Sequence, residues 1–208
     1  TARVVGKPEE KLDAPKLAQG KPVFTADVHM EGMLYGALLT SPHAHARIER
    51  IDASRARALP GVHAVLTHED LPRIKFASGG QSYPQPLPYD QVCLDNKVRH
   101  VGDAYAAVIA ETLAQAKDAA EQLAEDSVIE ELPAIIDMKA AVANAANRVH
   151  DEIPDNLCFD WGWIEDNRAA VDAAMKAAPH KVTLELVNNR LVPNAMEPRA
   201  SIGEYNPG

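Results

Sequence analysis

The residues with the clearest capacity for chemistry are two histidines one residue apart, His43 and His45. Alternate residues of a strand lie on one face, so the two imidazoles could bind the same metal ion. A third ligand is not evident nearby in the sequence. His63 and His68 form a second, more widely spaced pair. We interpret all four as structural histidines and keep metal binding as the alternative.

Three further groups are candidates by residue type alone: the acidic pairs Glu9-Glu10 and Glu130-Glu131, the serines Ser41 and Ser201, and the glycines Gly79-Gly80. Adjacent carboxylates of an extended chain point to opposite sides, which favours solvated surface over acid–base work. Neither serine has a base nearby or a nucleophile-elbow motif around it. The glycines lack the strand–helix setting of an anion-binding loop. The sequence therefore predicts no catalytic, cofactor-binding or metal-binding residue in this chain.

Composition narrows the class of protein. The 208 residues carry a formal net charge of −9, which argues against a nucleic-acid partner. Cys93 and Cys158 are too few for an iron–sulfur cluster or a disulfide framework, and we expect both in the core. No apolar run is long enough to span a membrane and no signal-peptide pattern opens the chain, so we expect a cytoplasmic protein. Because residue 1 is Thr, a removed leader remains an alternative.

The stretch Met33–Leu66 organises the predicted fold. Met33–Thr40 is an apolar run ended by Ser-Pro, and Ala44–Ile51 alternates small or apolar residues with polar ones, so each predicts a strand. Asp52 is a suitable N-cap for a short helix that Pro60-Gly61 ends. Val62–Leu66 then predicts a third strand.

A second strong pattern follows between Val98 and Glu131. Val98–Val101 predicts an edge strand, and Ala104–Ala110 predicts a strand buried on both faces. Thr112 is the expected N-cap of a helix through Ala124, and Ser127–Glu131 is the next strand. The expected buried stripe of the helix is Leu113, Ala116, Ala120 and Leu123. The strand–helix–strand order suggests a right-handed crossover within one sheet.

The remaining segments carry weaker patterns. Residues 1–20 resemble an extended arm, Val23–Asp27 a strand pairing with Leu34–Leu39, and residues 76–90 a long proline-rich loop. Later predictions are a helix at Met138–Ala145, a linker at His150–Pro154, a strand at Asn156–Trp163, a helix capped by Asp166 or Asn167 and ended by Pro179, and strands at Lys181–Asn188 and Ala200–Tyr205.

Several short motifs in a fixed order resemble one known family. Gly-Met-Leu-Tyr-Gly at residues 32–36, Ser-Pro-His-Ala-His-Ala-Arg-Ile at residues 41–48 and Leu-Pro-Gly-Val-His-Ala-Val-Leu-Thr at residues 59–67 are similar to the start of the molybdenum-binding large subunit of the xanthine dehydrogenase, aldehyde oxidase and carbon monoxide dehydrogenase family. That start is the α/β hammerhead domain.

The resemblance implies an α/β (α+β) fold in four parts: an arm at residues 1–19, the hammerhead domain at residues 20–137, a linker with a short helix at residues 138–155, and the incomplete start of a molybdopterin-binding domain at residues 156–208. It implies that the complete enzyme hydroxylates an aldehyde, purine, N-heterocycle or similar substrate. The molybdopterin-type molybdenum cofactor, [2Fe-2S] clusters and FAD would belong to the complete enzyme, with none bound by this chain alone.

The partners implied are the remainder of the large subunit, an iron–sulfur subunit and an FAD subunit, in a multi-subunit complex or dimer. Two charged motifs, Met-Glu-Pro-Arg at residues 196–199 and Arg-His-Val-Gly-Asp at residues 99–103, are interpreted as structural. A role in shaping the pocket from outside, or in touching the catalytic half, is the alternative. Two other hypotheses are a small scaffold subunit of a split enzyme and a stand-alone interaction module without activity.

Overall fold

The computed structural model describes residues 3–77, 89–143, 146–157, 167–189, 191 and 194–206. The chain divides into two compact units. Leu34–Ala178 forms the first, here called the sheet unit, and Thr1–Met33 with Pro179–Gly208 forms the second, here called the terminal unit.

The sheet unit contains two three-stranded antiparallel sheets. The first sheet has the order β1 (Tyr35–Thr40), β5 (Ala104–Ala110), β3 (Val62–Thr67), so the apolar strand β5 lies in its centre. The second has the order β4 (Lys97–Val98), β2 (Ala46–Ile51), β6 (Ser127–Glu131). All six strands overlap strands predicted from the sequence, which confirms the mixed α/β class.

The predicted crossover within one sheet is wrong. The helix α3 (Leu113–Glu125) connects β5 of the first sheet to β6 of the second sheet. The reason is that α3 packs on the first sheet and returns the chain to the open edge of β2. The partner of β6 is therefore antiparallel β2 rather than β5, and strand–helix–strand order alone does not show which edge is open.

The helix α3 begins as predicted and ends one residue later, but the residues that it buries differ slightly from the predicted stripe. The Thr112 hydroxyl accepts a hydrogen bond from the Gln115 N–H at 3.2 Å, which is the expected N-cap. Its buried residues are Ala116, Ala119, Ala120 and Leu123. Leu113 is 45% exposed, so its place in the predicted stripe is wrong, and Ala119 belongs there instead.

One core joins the two sheets and α3. Its largest fully buried side chains are Tyr105, Leu123, Val98 and Val108, and alanines fill the space between them. Small side chains let a helix approach a sheet closely, so the alanine-rich face of α3 suits this position.

The link between β2 and β3 is the short helix α2 (Ser54–Arg57). The Asp52 carboxylate accepts the Ser54 N–H at 3.1 Å, as the predicted capping role requires, although Ala53 occupies the N-cap position. Gly61 follows with a φ of 80°, a left-handed conformation that glycine adopts without a side-chain clash. The predicted end of this helix at Pro60-Gly61 is confirmed within a few residues.

Two helices complete the sheet unit: α4 (Met138–Ala143), at the predicted helix of residues 138–145, and α5 (Arg168–Ala177). Asn167 holds the N-cap position of α5 without a side-chain hydrogen bond, and Asp166 lies outside the described residues. The predicted loop at residues 76–90 and the strand at residues 156–163 also fall largely outside them. No helix among the described residues is long and apolar enough to cross a membrane.

The terminal unit contains one short helix, α1 (Ala14–Ala18), and a 3-10 turn at Thr25–Asp27. The strand predicted at Val23–Asp27 is therefore wrong, because β1 pairs with β5 instead. The strands predicted at Lys181–Asn188 and Ala200–Tyr205 are also wrong: the described residues there carry no ladder hydrogen bonds and are exposed. An alternating pattern needs a partner strand to become a strand.

Candidate functional site

His43 and His45 lie at the turn into β2 and have different environments. His45 is 6% exposed, and its Nδ1 lies 2.9 Å from the Pro133 carbonyl oxygen. Because a carbonyl only accepts, Nδ1 carries the hydrogen. His43 Nδ1 instead lies 3.7 Å from the Glu131 carboxylate, across the edge of β6. The contacts seen thus fit structural roles for both rings.

The other histidine and serine candidates have separate environments of their own. His63 Nε2 is 3.5 Å from the Glu111 carboxylate, at the edge of the first sheet. Ser41 Oγ accepts the His43 N–H at 3.0 Å and so shapes a turn. His68 lines a separate cavity, and Ser201 is exposed. Within the described ranges, no three His, Cys, Asp or Glu side chains lie close enough together to hold a metal ion.

Cys93 is exposed, so its predicted place in the core is wrong. It lies in the loop before β4, where the neighbouring Leu94 is buried instead. Cys158 lies outside the described residues. Glu197 and Arg199 are both exposed in the terminal unit, so the Met-Glu-Pro-Arg motif does not form a buried ion pair within this chain.

A charged cluster that the sequence patterns do not indicate centres on the buried Asp95. Its carboxylate accepts two hydrogen bonds from Arg73, at 2.5 and 3.2 Å, and one from Arg99 at 2.8 Å. Burial alone would raise the pKa of Asp95, yet the Arg73 and Arg99 hydrogen bonds hold that pKa below its ordinary value. The carboxylate is thus ionised and fixes the loop before β4.

The Arg99–Asp103 turn belongs to the same cluster. Asp103 Oδ2 accepts the Arg99 N–H at 3.0 Å, and Gly102 has a φ of 88°, which favours glycine. Within the part of the chain that the structure describes, Arg99 is the one residue of this motif that also contacts Asp95. Its guanidinium points into the fold, which supports the structural interpretation of the motif.

Two ion pairs and one histidine–carboxylate contact tie residues 146–157 to other parts of the sheet unit. Lys97 Nζ donates to Asp151 at 2.6 Å, Lys75 donates to Glu152 at 2.5 Å, and His150 Nε2 lies 3.8 Å from the Asp90 carboxylate. The Lys97 hydrogen bond lowers the pKa of Asp151. The Lys75 hydrogen bond lowers the pKa of Glu152 to about 2.

His150 differs from these carboxylates. Burial and the nearby Arg99 charge lower its pKa, so this ring is neutral at pH 7 and the contact with Asp90 is not a full ion pair. No local signal in the sequence could have identified these three contacts, because their partners lie between 54 and 77 residues apart.

Comparison with known proteins assigns the sheet-unit architecture. The family described as "Aldehyde oxidase and xanthine dehydrogenase, a/b hammerhead domain" matches residues 19–125, which is half of the chain. The fold therefore defines an α/β hammerhead domain. The chain belongs to the aldehyde oxidase and xanthine dehydrogenase family, as its motifs predict.

Individual relatives agree with this assignment. The chain is 42% identical over 149 residues to a protein of Escherichia coli (strain K12) named "Probable hypoxanthine oxidase XdhD", covering 72% of this chain and 15% of that protein. It is 31% identical over 207 residues to the nicotinate dehydrogenase large molybdopterin subunit of Eubacterium barkeri, covering 98% of this chain and 45% of that subunit.

The solved structure of aldehyde oxidoreductase from Desulfovibrio gigas superposes with a TM-score of 0.61 at 34% identity, over 71% of this chain and 17% of that one. The chain thus resembles part of the large molybdopterin-binding subunit of these enzymes and spans less than half the length of the relatives named here.

Proposed function

We propose that this chain is the N-terminal, structural portion of a molybdenum hydroxylase large subunit, in the four parts that the motifs predict. The observation that carries the proposal is the hammerhead match over residues 19–125 in a chain that spans between 15% and 45% of its named relatives. In the complete enzyme this portion would pack against the cofactor-binding remainder. The whole would hydroxylate an aldehyde, purine, N-heterocycle or similar substrate.

The side chains described do not fit the cofactors of such an enzyme. An iron–sulfur cluster requires several thiolates, and the whole chain contains two cysteines. A metal held by protein side chains requires three or four converging ligands, and the described part of the chain offers no such group. We therefore assign the molybdenum cofactor, the [2Fe-2S] clusters and FAD to the remainder of the large subunit and to partner subunits. In this proposal, no residue of this chain takes part in a catalytic step.

Exposed apolar side chains support a role in assembly. Val182, Leu184 and Leu186 alternate along one segment and are between 74% and 93% exposed. Isolated soluble domains seldom leave such a row uncovered, so it favours a partner over a stand-alone module. We further propose a cytoplasmic location, in which the exposed thiol of Cys93 would stay reduced.

Activity and metal content test the proposal together. The purified 208-residue chain would be assayed with aldehydes and purines and an artificial electron acceptor, and its molybdenum measured. We expect no turnover and no bound molybdenum. Co-production with the remainder of the large subunit and the partner subunits should restore both. Turnover with molybdenum held by this chain alone would refute the proposal.

A second candidate function is a small scaffold subunit of a split enzyme. The named relatives favour keeping it, because 98% of this chain corresponds to 45% of one relative, whereas 72% and 71% of it correspond to only 15% and 17% of two others. Molybdenum hydroxylases of this family therefore differ in how much chain accompanies the matched part. Mass analysis of the native complex distinguishes the two: a polypeptide of 22.5 kDa indicates a separate subunit, and a much larger one a continuous subunit.

A further inference from the structure

One face of the first sheet has no buried residue in its two central rows. Residues directly opposite each other on paired strands share a face. The register places Leu38 and Leu66 on either side of Ala107, and it places Gly36 and Ala64 on either side of Ile109. None of these residues is buried, and none belongs to the core cluster. We call this surface the open face, and its residues are Gly36, Leu38, Ala64, Leu66, Ala107 and Ile109.

The opposite face of the same sheet is buried. Its central residues Ala106, Val108 and Val65 are at most 3% exposed and belong to the cluster that contains the alanines of α3. The sequence of β5 predicts burial on both faces, as in a strand between two layers. Within the part of the chain that the structure describes, only the face toward α3 receives such a layer.

The composition of the open face is unusual for a surface that water covers. The outer face of an antiparallel sheet normally alternates with the core face and carries polar residues. Five residues of the open face are Leu, Ile or Ala and the sixth is Gly, although 25% of the residues of this chain are charged. Leu38 is 66% exposed at its centre. A contiguous uncharged apolar surface of this kind indicates a contact with another polypeptide.

Gly36 provides independent support for such a contact. Glycine inside a strand weakens it, and it often occurs where another backbone approaches closely. Gly36 has no positive φ, and a Cβ built on it would meet only Ile109 Cδ1 among the described residues, at an ordinary contact distance of 3.6 Å. The packing of this chain therefore gives no reason for a glycine at this position. A segment that lies across the open face would give one.

We propose that an uncharged apolar segment of the remainder of the large subunit covers the open face and passes its backbone over Gly36. This inference rests on the proposed function and adds the surface at which the hammerhead domain meets that remainder. More than half of each named relative lies outside the matched stretch, so enough chain exists there to supply this layer. A charged segment would not fit, because its charges would lose hydration without gaining a partner.

Protection of a thiol at residue 38 tests the contact directly. The thiol of Leu38→Cys should react rapidly with a maleimide in the 208-residue chain. After assembly with the remainder of the large subunit it should react at least about tenfold more slowly, because a buried thiol is inert. Leu113→Cys, at an exposed position of α3, is the matched control and should react at similar rates in both states. Peptide mass mapping distinguishes the introduced thiols from Cys93 and Cys158.

Two results of this experiment would overturn the inference. The first is equal reactivity of the Leu38→Cys thiol before and after assembly. The second is slow reaction already in the 208-residue chain, which would assign the open face to this chain itself or, where protection rises with chain concentration, to a second copy.

Substitution of Gly36 tests the close approach of a backbone. Gly36→Val should leave the thermal midpoint of the 208-residue chain unchanged or raise it, since Val favours strands. The same variant should weaken binding to the remainder of the large subunit at least about tenfold, because the added side chain overpacks the contact. Gly36→Ala should give an intermediate loss, which covers the case in which Gly36→Val does not fold. Glu49→Val introduces the same side chain at an exposed position of β2 and should change binding little.

The proposed function and this inference fail in different ways. If the unaltered chain does not assemble with the remainder of the large subunit, the proposed function is wrong and this inference is wrong with it. If the unaltered chain assembles, while the Leu38→Cys thiol stays reactive and Gly36→Val binds as tightly as Glu49→Val, only this inference is wrong.

Discussion

Two segments that the sequence predicts to be strands differ in structure: one forms a buried strand and the other does not. β5 (Ala104–Ala110) is hydrogen-bonded on both sides, by β1 and β3, and its Tyr105 and Val108 are fully buried. Lys181–Asn188 alternates apolar and polar residues and is also predicted as a strand, yet its apolar side chains are exposed and its described residues form no ladder. The difference lies in the partners rather than in the residues, because a strand is stabilised by cross-strand neighbours.

The same contrast separates the hammerhead core from the exposed apolar side chains of the terminal unit. In the sheet unit, a single cluster fixes both sheets and α3. In the terminal unit, Leu184, Met196 and Tyr205 are each at least 74% exposed. Within one chain, then, one apolar set already stabilises the fold, and we propose that the other is stabilised only when a partner covers it. Substitutions in the two sets should therefore differ in a predictable way.

The largest effect is expected in the core. Leu123→Ala removes a fully buried side chain of α3 and leaves a cavity between the helix and both sheets. We expect a loss of about 3 kcal/mol in the free energy of unfolding. Urea unfolding followed by circular dichroism measures it. The control Leu113→Ala, on the exposed first turn of the same helix, should cost less than about 1 kcal/mol. Equal costs would contradict the packing of α3 described above.

The next effect concerns the buried charge cluster. Asp95→Asn leaves Arg73 and Arg99 without their carboxylate, and we expect a loss of about 2 kcal/mol at pH 7, reduced because Arg73 is half exposed. The exposed Asp118→Asn on α3 is the matched control and should change stability little. A neutral Asp95→Asn variant would show that the cluster is dispensable.

The pH dependence of this loss follows from the sign of the shift. The pKa of Asp95 is lower in the folded chain than in the unfolded chain, so its contribution is complete above the unfolded value near 4. That contribution is lost as the pH falls through the folded pKa. The stabilities of the original chain and the Asp95→Asn variant should therefore converge below about pH 4. A constant difference down to pH 2 would contradict the shift.

A smaller effect is expected at the N-cap of α3. Thr112→Ala removes the acceptor of the Gln115 N–H and should reduce the free energy of unfolding by about 1 kcal/mol. Thr112→Ser keeps the hydroxyl and should recover most of that loss. Thermal unfolding of the three chains at one scan rate compares them. A Thr112→Ser variant as unstable as Thr112→Ala would assign the loss to the methyl group instead.

Local patterns predicted the strands and helices of the hammerhead part well and its long-range contacts poorly, for physical reasons. Thr112, Asp52 and the alternation of Ala46–Ile51 act within a few residues, so their consequences can be inferred from sequence. The Asp95–Arg73 bond joins residues 22 apart and leaves no periodic trace. The tautomer of His45 depends on the Pro133 carbonyl, 88 residues away. The prediction placed β6 in the wrong sheet, because tertiary packing decides which strand has a free edge.

The smallest effect is the most informative about assembly. Leu184→Ala should change the unfolding free energy of the 208-residue chain by less than about 0.5 kcal/mol, because this side chain is 74% exposed. Co-produced with the remainder of the large subunit, the same substitution should cost about 2–3 kcal/mol, since the side chain would then lie buried. Pull-down yield and thermal unfolding of the assembled complex measure this difference. A large cost in the isolated chain would mean that Leu184 is already packed there, and no cost in the complex would mean that this row of side chains stays uncovered.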